Sequence, residues 1–169
     1  MLELKVFDGE TDVTLKFEHS LLSLSKWESK TKVAFLATPT KTSSVMIDYY
    51  QDMLLGDADP TLVFRLSPAQ MDELSEYISD TQTASSVPAG TGRKQSPPEV
   101  TTSELIYYWL AELRIPFQPT ESWHINRIMM LIQITNFKRQ PPEKVDKADF
   151  MRRWKQANAE IKEKYGTNG

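Results

Sequence analysis

The chain reads as a mainly α-helical domain with a small N-terminal β-hairpin, an α+β arrangement with a compact helical body. Three observations carry that reading. Leu2, Leu4 and Val6 alternate with Glu3 and Lys5, and Val13, Leu15 and Phe17 alternate around Thr14 and Lys16, with Asp8-Gly9 between the two runs. Alternation on both sides of an Asp-Gly pair is the pattern of a hairpin. Helix-opening signals recur at Ser67-Pro68-Ala69-Gln70 and Thr101-x-x-Glu104, where a hydroxyl three residues before a Glu or Gln can satisfy the free amides of a first turn. Apolar residues beyond the hairpin recur at helical spacings of three and four.

Taken in order, the hairpin is marginal alone and should lean on a helix or pair with another chain's edge. Residues 19–32 place Leu21, Leu24 and Trp27 at helical spacings, with Leu22 beside them, although serines weaken the pattern. Residues 42–55 form a clearer helix, with Val45, Met46, Tyr49, Tyr50 and Met53 on one face and Gly56 closing it. Residues 62–66 read as a short extended piece. The helix opened by Ser67 turns Met71, Leu74 and Ile78 inward and Asp72, Glu73 and Glu76 outward.

Residues 80–98 hold Thr, Ser, Gly and Pro, with almost nothing to bury, and read as a flexible linker. The next helix should run from Thr101 to about Leu113, with Pro116 and Pro119 making a turn. Ser122 is expected to cap a helix through about Phe137, whose apolar stripe is Ile125, Ile128, Met129, Ile132 and Phe137. Pro141-Pro142 then breaks the chain. Asp146 opens a last polar helix through about Tyr165, anchored by Phe150, Trp154 and Ile161, and residues 166–169 fray. The expected organisation is an N-terminal hairpin with helices at 1–80, a linker at 81–99, and a C-terminal helical region at 100–169 that folds as one unit with the first.

Composition is ordinary for a globular chain: 169 residues, 40% hydrophobic and 25% charged. No apolar run approaches the ~20 residues of a membrane span. The opening Met-Leu-Glu-Leu-Lys-Val has neither a basic n-region nor an apolar h-region, so a cytoplasmic chain is expected. The absence of cysteine excludes disulfides, thiol catalysis and thiolate metal sites. Net charge is −3, but it is unevenly spread. Residues 48–80 carry eight acids against Arg65 alone, a net −7, and residues 138–164 carry nine bases against five acids, a net +4. Such segments can attract each other within a chain or between copies.

Catalytic patterns are missing. The two histidines, His19 and His124, lie in opposite halves of the chain and outside any zinc spacing. His124 beside Trp123 reads first as a hydrogen-bonded structural residue, and secondarily as part of a polar pocket with Arg127. Asp57-x-Asp59 lacks the ligand pattern of a calcium loop. Thr91-Gly92-Arg93-Lys94 lacks the first glycine of a phosphate loop, and no Gly-x-Ser-x-Gly occurs. The expectation is a protein that is not an enzyme and has no metal or cofactor. Nucleic-acid binding by Arg152, Arg153, Lys155, Lys162 and Lys164 is disfavoured by the interleaved Glu160 and Glu163. Tyr107, Tyr108 and Trp109 lie about 100° apart on a helix, so at least one should reach the surface. Tyrosine and tryptophan are common at binding hot spots.

Five stretches are distinctive as a set. They are His19-Ser-Leu-Leu-Ser-Leu-Ser-Lys-Trp-Glu28, Thr102-Ser-Glu-Leu-Ile-Tyr-Tyr-Trp109, Ile115-Pro-Phe117, Trp123-His-Ile-Asn-Arg127 and Gly166-Thr-Asn-Gly169. Spread from near the start to the last residue, they resemble the tail assembly chaperones of long-tailed, siphovirus-type bacteriophages. Relatives have a longer N-terminal strand region and a more basic C-terminal tail, which Glu160 and Glu163 interrupt here. The resemblance implies a non-enzymatic factor that coats the tape measure protein while tail tube protein polymerises around it. Such a factor acts in the host cytoplasm, is absent from the mature virion, and is able to self-associate. On that reading Trp27, Tyr107, Tyr108, Trp123, His124 and Arg127 are the candidate partner contacts. The competing expectation is a virion structural protein, such as a connector or head–tail adaptor.

Overall fold

Alternating apolar residues make the first element. Residues 1–38, 41–86, 100–139, 151–152 and 154–158 are described by a computed structural model of the chain. In it β1 (Leu2–Phe7) runs antiparallel to β2 (Asp12–Phe17), with Leu4 opposite Leu15 and Val6 opposite Val13. The Asp8 carboxylate accepts from the N–H groups of Glu10 (2.7 Å) and Thr11 (2.8 Å). Gly9 takes a φ of 120°, which a side chain would strain. Both edges of the hairpin are partly covered. Gln70 Nε2 donates to the Lys5 carbonyl (2.8 Å), and the Arg65 guanidinium donates to the Phe7 (3.2 Å) and Asp8 carbonyls. On the other side Leu55 N–H donates to the Lys16 carbonyl (2.9 Å) and Glu18 N–H to the Met53 carbonyl (3.0 Å). Covering an edge in this way removes a template for unwanted strand pairing.

The serines at 20 and 23 open a helix. Ser20 Oγ accepts from Ser23 N–H, and Ser23 Oγ donates to the Glu18 carbonyl (2.9 Å), so α1 (Leu21–Thr31) starts on a satisfied cap. Leu21, Leu24 and Trp27 face the core and Leu22 faces out. α2 (Ser43–Met53) is capped by Thr42 and buries Tyr49, Tyr50 and Met53. It ends at Leu54, whose extended backbone bridges Phe17 of the hairpin; Gly56, at φ 77°, comes two residues later and is not the cap.

The extended piece expected at 62–66 is a 3₁₀ turn instead, Pro60–Arg65. Asp59 accepts from Thr61 N–H (2.8 Å) and Pro60 supplies a helical φ, and these two local signals outweigh the β-branched composition. α3 (Pro68–Ser79) opens on the reciprocal cap expected of Ser67 and Gln70. Leu74 is fully buried, Met71 and Ile78 are partly so, and Asp72, Glu73 and Glu76 are exposed.

α4 (Ser103–Glu112) is capped by Thr102, one residue later than expected, with its hydroxyl accepting from Leu105 N–H (3.3 Å). The distant Glu28 supplies a second capping acceptor, since its Oε2 accepts from Ser103 N–H (2.7 Å). Arg114 takes a left-handed φ of 58°, and Ile115 N–H reaches back to the Leu110 carbonyl (2.9 Å), closing the helix. A single turn, α5 (Phe117–Thr120), leads to α6 (Ile125–Arg139). Ser122 does not cap α6, because its hydroxyl donates back to the Pro119 carbonyl (2.7 Å). His124 takes that place, with Nδ1 accepting from Asn126 N–H (3.2 Å). Ile125, Ile128 and Ile132 are buried, whereas Phe137, expected in the same stripe, is exposed.

The chain divides into two compact units, Met1–Phe137 and Lys138–Gly169. Residues 151–152 and 154–158 are helical, and Trp154 is exposed in place of the buried anchor expected of it. Most of the linker, Pro141-Pro142, Asp146, Phe150, Ile161 and the stretch at 166–169 lie outside the described residues. So do Thr91-Gly92-Arg93-Lys94, Arg153, Glu160, Lys162, Glu163 and Lys164. Among the described residues no helix is long and apolar enough to cross a membrane.

Candidate functional site: a buried histidine latch and an aromatic ledge

The two histidines meet. The segment before α1 lies beside the segment before α6 in a short antiparallel bridge between Ser20 and His124. Ile125 N–H donates to the His19 carbonyl (2.7 Å) and Leu22 N–H to the Glu121 carbonyl (3.2 Å). The imidazoles of His19 and His124 pack edge to face at 5.0 Å. His19 Nδ1 bonds the Tyr49 hydroxyl (2.6 Å). His124 Nε2 donates to the Tyr77 carbonyl (3.0 Å), and Asn126 Nδ2 donates to the carbonyls of Ile78 (3.2 Å) and Asp80 (2.6 Å). His124 and Asn126 thus close the C-terminus of α3, where the Tyr77 carbonyl also accepts from Asp80 N–H (3.3 Å). Glu18 joins the group, since its carboxylate accepts from the Tyr77 hydroxyl (2.7 Å) and pairs with the Met1 amino group (2.8 Å).

Both histidines are held neutral. Burial drives the His19 pKa down to about 3, with the neighbouring His124 and Lys41 adding to the effect. Burial also lowers His124, partly offset by its bond to the Tyr77 carbonyl and by Glu18. His124 accepts at Nδ1 and donates at Nε2, so one neutral tautomer satisfies both nitrogens. His124 was a candidate partner contact; at 3% exposure it is a structural latch instead. Trp27 needs the same correction. It is also 3% exposed, with its ring edge-on to Phe35 (5.2 Å) and Tyr49 (6.4 Å). Its apolar bulk on the face of α1 that meets Phe35 and Tyr49 makes burial the stronger pull, even though its Nε1–H is left without a hydrogen-bond partner.

The other four candidates reach solvent. Tyr108 is 61% exposed. Tyr107 is half-buried, with its hydroxyl donating to Glu121 (3.0 Å) and its ring edge-on to Phe117 (5.3 Å). Burial, followed by the Glu121 carboxylate, pushes the Tyr107 hydroxyl up to about 12, so it stays protonated. Phe117 is exposed, and with Ala111, Arg114, Ile115 and Pro116 it lines an open, shallow groove. Trp123 is half-buried, and the exposed Arg127 lies 5.2 Å over its ring, a cation–π pair one helical turn apart. Glu121 ties Tyr107 to the turn that carries Trp123, so these residues form a ledge on α4, α5 and the start of α6. Tyr108 projects separately, one residue further around α4.

Sequence reasoning missed Phe117 and Asn126. Phe117 lies between two prolines, where no periodicity assigns a face. Asn126 sat in a motif of interest, but nothing local indicated that its partners are 46 and 48 residues away. Chemically the ledge offers aromatic faces and one guanidinium. Among the described residues no group of three or more His, Asp or Glu side chains could hold a metal ion. No protein-family model, curated protein or solved structure matches the chain.

Proposed function

We propose that this protein is a non-enzymatic tail assembly chaperone of a long-tailed bacteriophage. It binds the tape measure protein and tail tube protein in the host cytoplasm, and leaves before the virion is complete. The observation that carries the reading is the exposure of Tyr108 beside the half-buried Tyr107 and exposed Phe117. Two of these three residues belong to the stretch 102–109, on which the resemblance to this family rests, and Phe117 closes the Ile-Pro-Phe stretch. In the remaining stretches Leu21, Leu24, Trp27, His124 and Ile125 are consumed by the core. Aromatic side chains that stay in water at a cost in solubility are suited to contacts that are made and then displaced. Arg127 on Trp123 extends the same surface toward acidic or aromatic groups. Self-association into a spiral along the tape measure is part of the proposal, since the exposed aromatics need not serve one partner alone.

The test is co-expression with the tape measure protein encoded beside it, followed by solubility and pull-down. The expected result is a soluble tape measure protein that co-purifies with this chain, and loss of co-purification with Tyr108→Ala. A tape measure protein that precipitates regardless, together with detection of this chain in purified virions, would replace the proposal with a virion structural role.

A further inference from the structure

The helix α6 is apolar on two sides. At about 100° per residue, Ile125, Ile128 and Ile132 share one face and fill the core. Arg127, Met130, Ile134 and Phe137 share the opposite face, and Trp123, just before the helix, joins them because the Arg127 guanidinium lies over its ring. Met130 and Ile134 are half-buried and Phe137 is 42% exposed. Among the described residues none of these three belongs to the core cluster or packs on it. A helix that is apolar all round is normally covered all round.

The spacing of this second face is that of a two-helix seam. Steps of four, three, four and three residues lead from Trp123 to Phe137, the alternation by which one helix meets another along a shared stripe. The stripe also reads nearly the same from either end. Trp123 and Phe137 each lie seven residues from Met130, with Arg127 three before it and Ile134 four after it. Two such helices running antiparallel and crossing at Met130 set Trp123 against Phe137 and Arg127 against Ile134 on both sides of a two-fold axis. The ends match in charge. Glu121, just before α6, is the one acid between Glu112 and Glu143, and its carboxylate is held there by the Tyr107 hydroxyl (3.0 Å). Lys138, which follows Phe137 on α6, is in no ion pair among the described residues. Antiparallel pairing brings each Lys138 toward the other copy's Glu121, and the negative end of each helix dipole to the positive end of the other. Parallel pairing would set like against like at both ends.

We propose that the outer face of α6 is a dimer contact: two copies of this chain pack α6 against α6, antiparallel, with Met130 on the two-fold axis. Arg127 in the seam costs stability and fixes the register. One helix per copy makes a small contact, so the dimer is weak and reversible. Trp123 and Arg127 are shared with the aromatic ledge, Tyr108 is not, and the inference does not rest on the chaperone reading.

The test is sedimentation velocity of the full chain from low micromolar to millimolar concentration, joined to cross-linking. The expected result is a monomer–dimer equilibrium whose Kd rises about tenfold with Phe137→Glu, a change at an exposed position. Glu121→Lys or Lys138→Glu alone should weaken the dimer, and the two together should restore it, which damage to the fold would not do. The chain has no cysteine, so Met130→Cys should link to its own copy on oxidation, while Thr14→Cys, exposed on the hairpin, should not. A monomer at every concentration, a dimer that Phe137→Glu leaves intact, or equal cross-linking at positions 130 and 14 would overturn the proposal. So would a charge exchange that fails to restore the dimer, since the pairing would then not be antiparallel. Solubility of the tape measure protein with Tyr108→Ala is read separately and reports on the chaperone reading alone.

Discussion

His124 donates its Nε2–H to the Tyr77 carbonyl at 3.0 Å, across 47 positions of sequence. The same imidazole accepts at Nδ1 from Asn126 N–H, so a single ring closes one helix and opens another. The end of α3 and the start of α6 are therefore one polar junction, on which the meeting of residues before and after the linker depends.

Removing the amide from that junction should be costly. Asn126→Ala leaves the carbonyls of Ile78 and Asp80 without their side-chain donor. The expected loss is about 1–2 kcal/mol, read as a lower urea midpoint with an unchanged slope. A midpoint equal to that of the unaltered protein would mean that water replaces the amide without penalty.

Acid should loosen the same junction. In the unfolded chain both histidines titrate near pH ~6.5. In the folded chain His19 takes a proton only at about 3, and His124 also stays below its usual range. Below pH ~6.5 the unfolded chain therefore binds protons that the folded chain refuses, so stability is full above that pH and falls as pH drops, by up to ~1.4 kcal/mol per unit for each histidine. Asp8, Asp59 and Glu104 are held below their usual ranges, Asp8 and Asp59 mainly by backbone N–H donors. Their contribution is lost only at lower pH. Urea midpoints at pH 7, 6 and 5 should decline, and His19→Asn should flatten the decline; midpoints that do not move over this window refute the assignment.

Glu28 tests a buried carboxylate. Its Oε1 accepts from Phe35 N–H (3.0 Å) and its Oε2 from Ser103 N–H (2.7 Å). Glu28→Gln keeps the shape but turns an amide donor toward one of those N–H groups. A loss of about 2 kcal/mol is expected, or roughly 4–8 °C in Tm by calorimetry for a chain of this size.

Trp27 and Tyr108 should separate folding from binding. Trp27→Ala empties a core site against Phe35 and Tyr49, with an expected cost of about 3–5 kcal/mol. Tyr108→Ala should change stability by no more than about 0.5 kcal/mol, since the side chain is 61% exposed, while removing partner retention. Equal losses of stability in the two variants would place Tyr108 in the core and remove it as a partner contact.

Local chemistry accounts for much of the fold. The hairpin register follows from two alternating runs around Asp8-Gly9, and Ser67 with Gln70 fixes the start of α3. These features were legible because their partners lie within a few residues of each other. The three misplaced helix caps have one cause. Ser122, Thr101 and Gly56 each had the right local type for a cap, but His124, Thr102 with Glu28, and the bridge from Leu54 to Phe17 took their places. Each winning group draws on a partner remote in sequence, and no spacing rule reports such a partner.

The same holds at the candidate site. The aromatic triplet at 107–109 required an exposed member from helix geometry alone, and periodicity put Leu21, Leu24, Ile125 and Ile128 inward. Which aromatic stays in water depended on how the helices pack. Trp27 is drawn against Phe35 and Tyr49, His124 is turned to Tyr77, and Tyr108 is left out, because burial is a property of the assembled surfaces and hydrogen-bond partners are chosen after the chain has closed on itself.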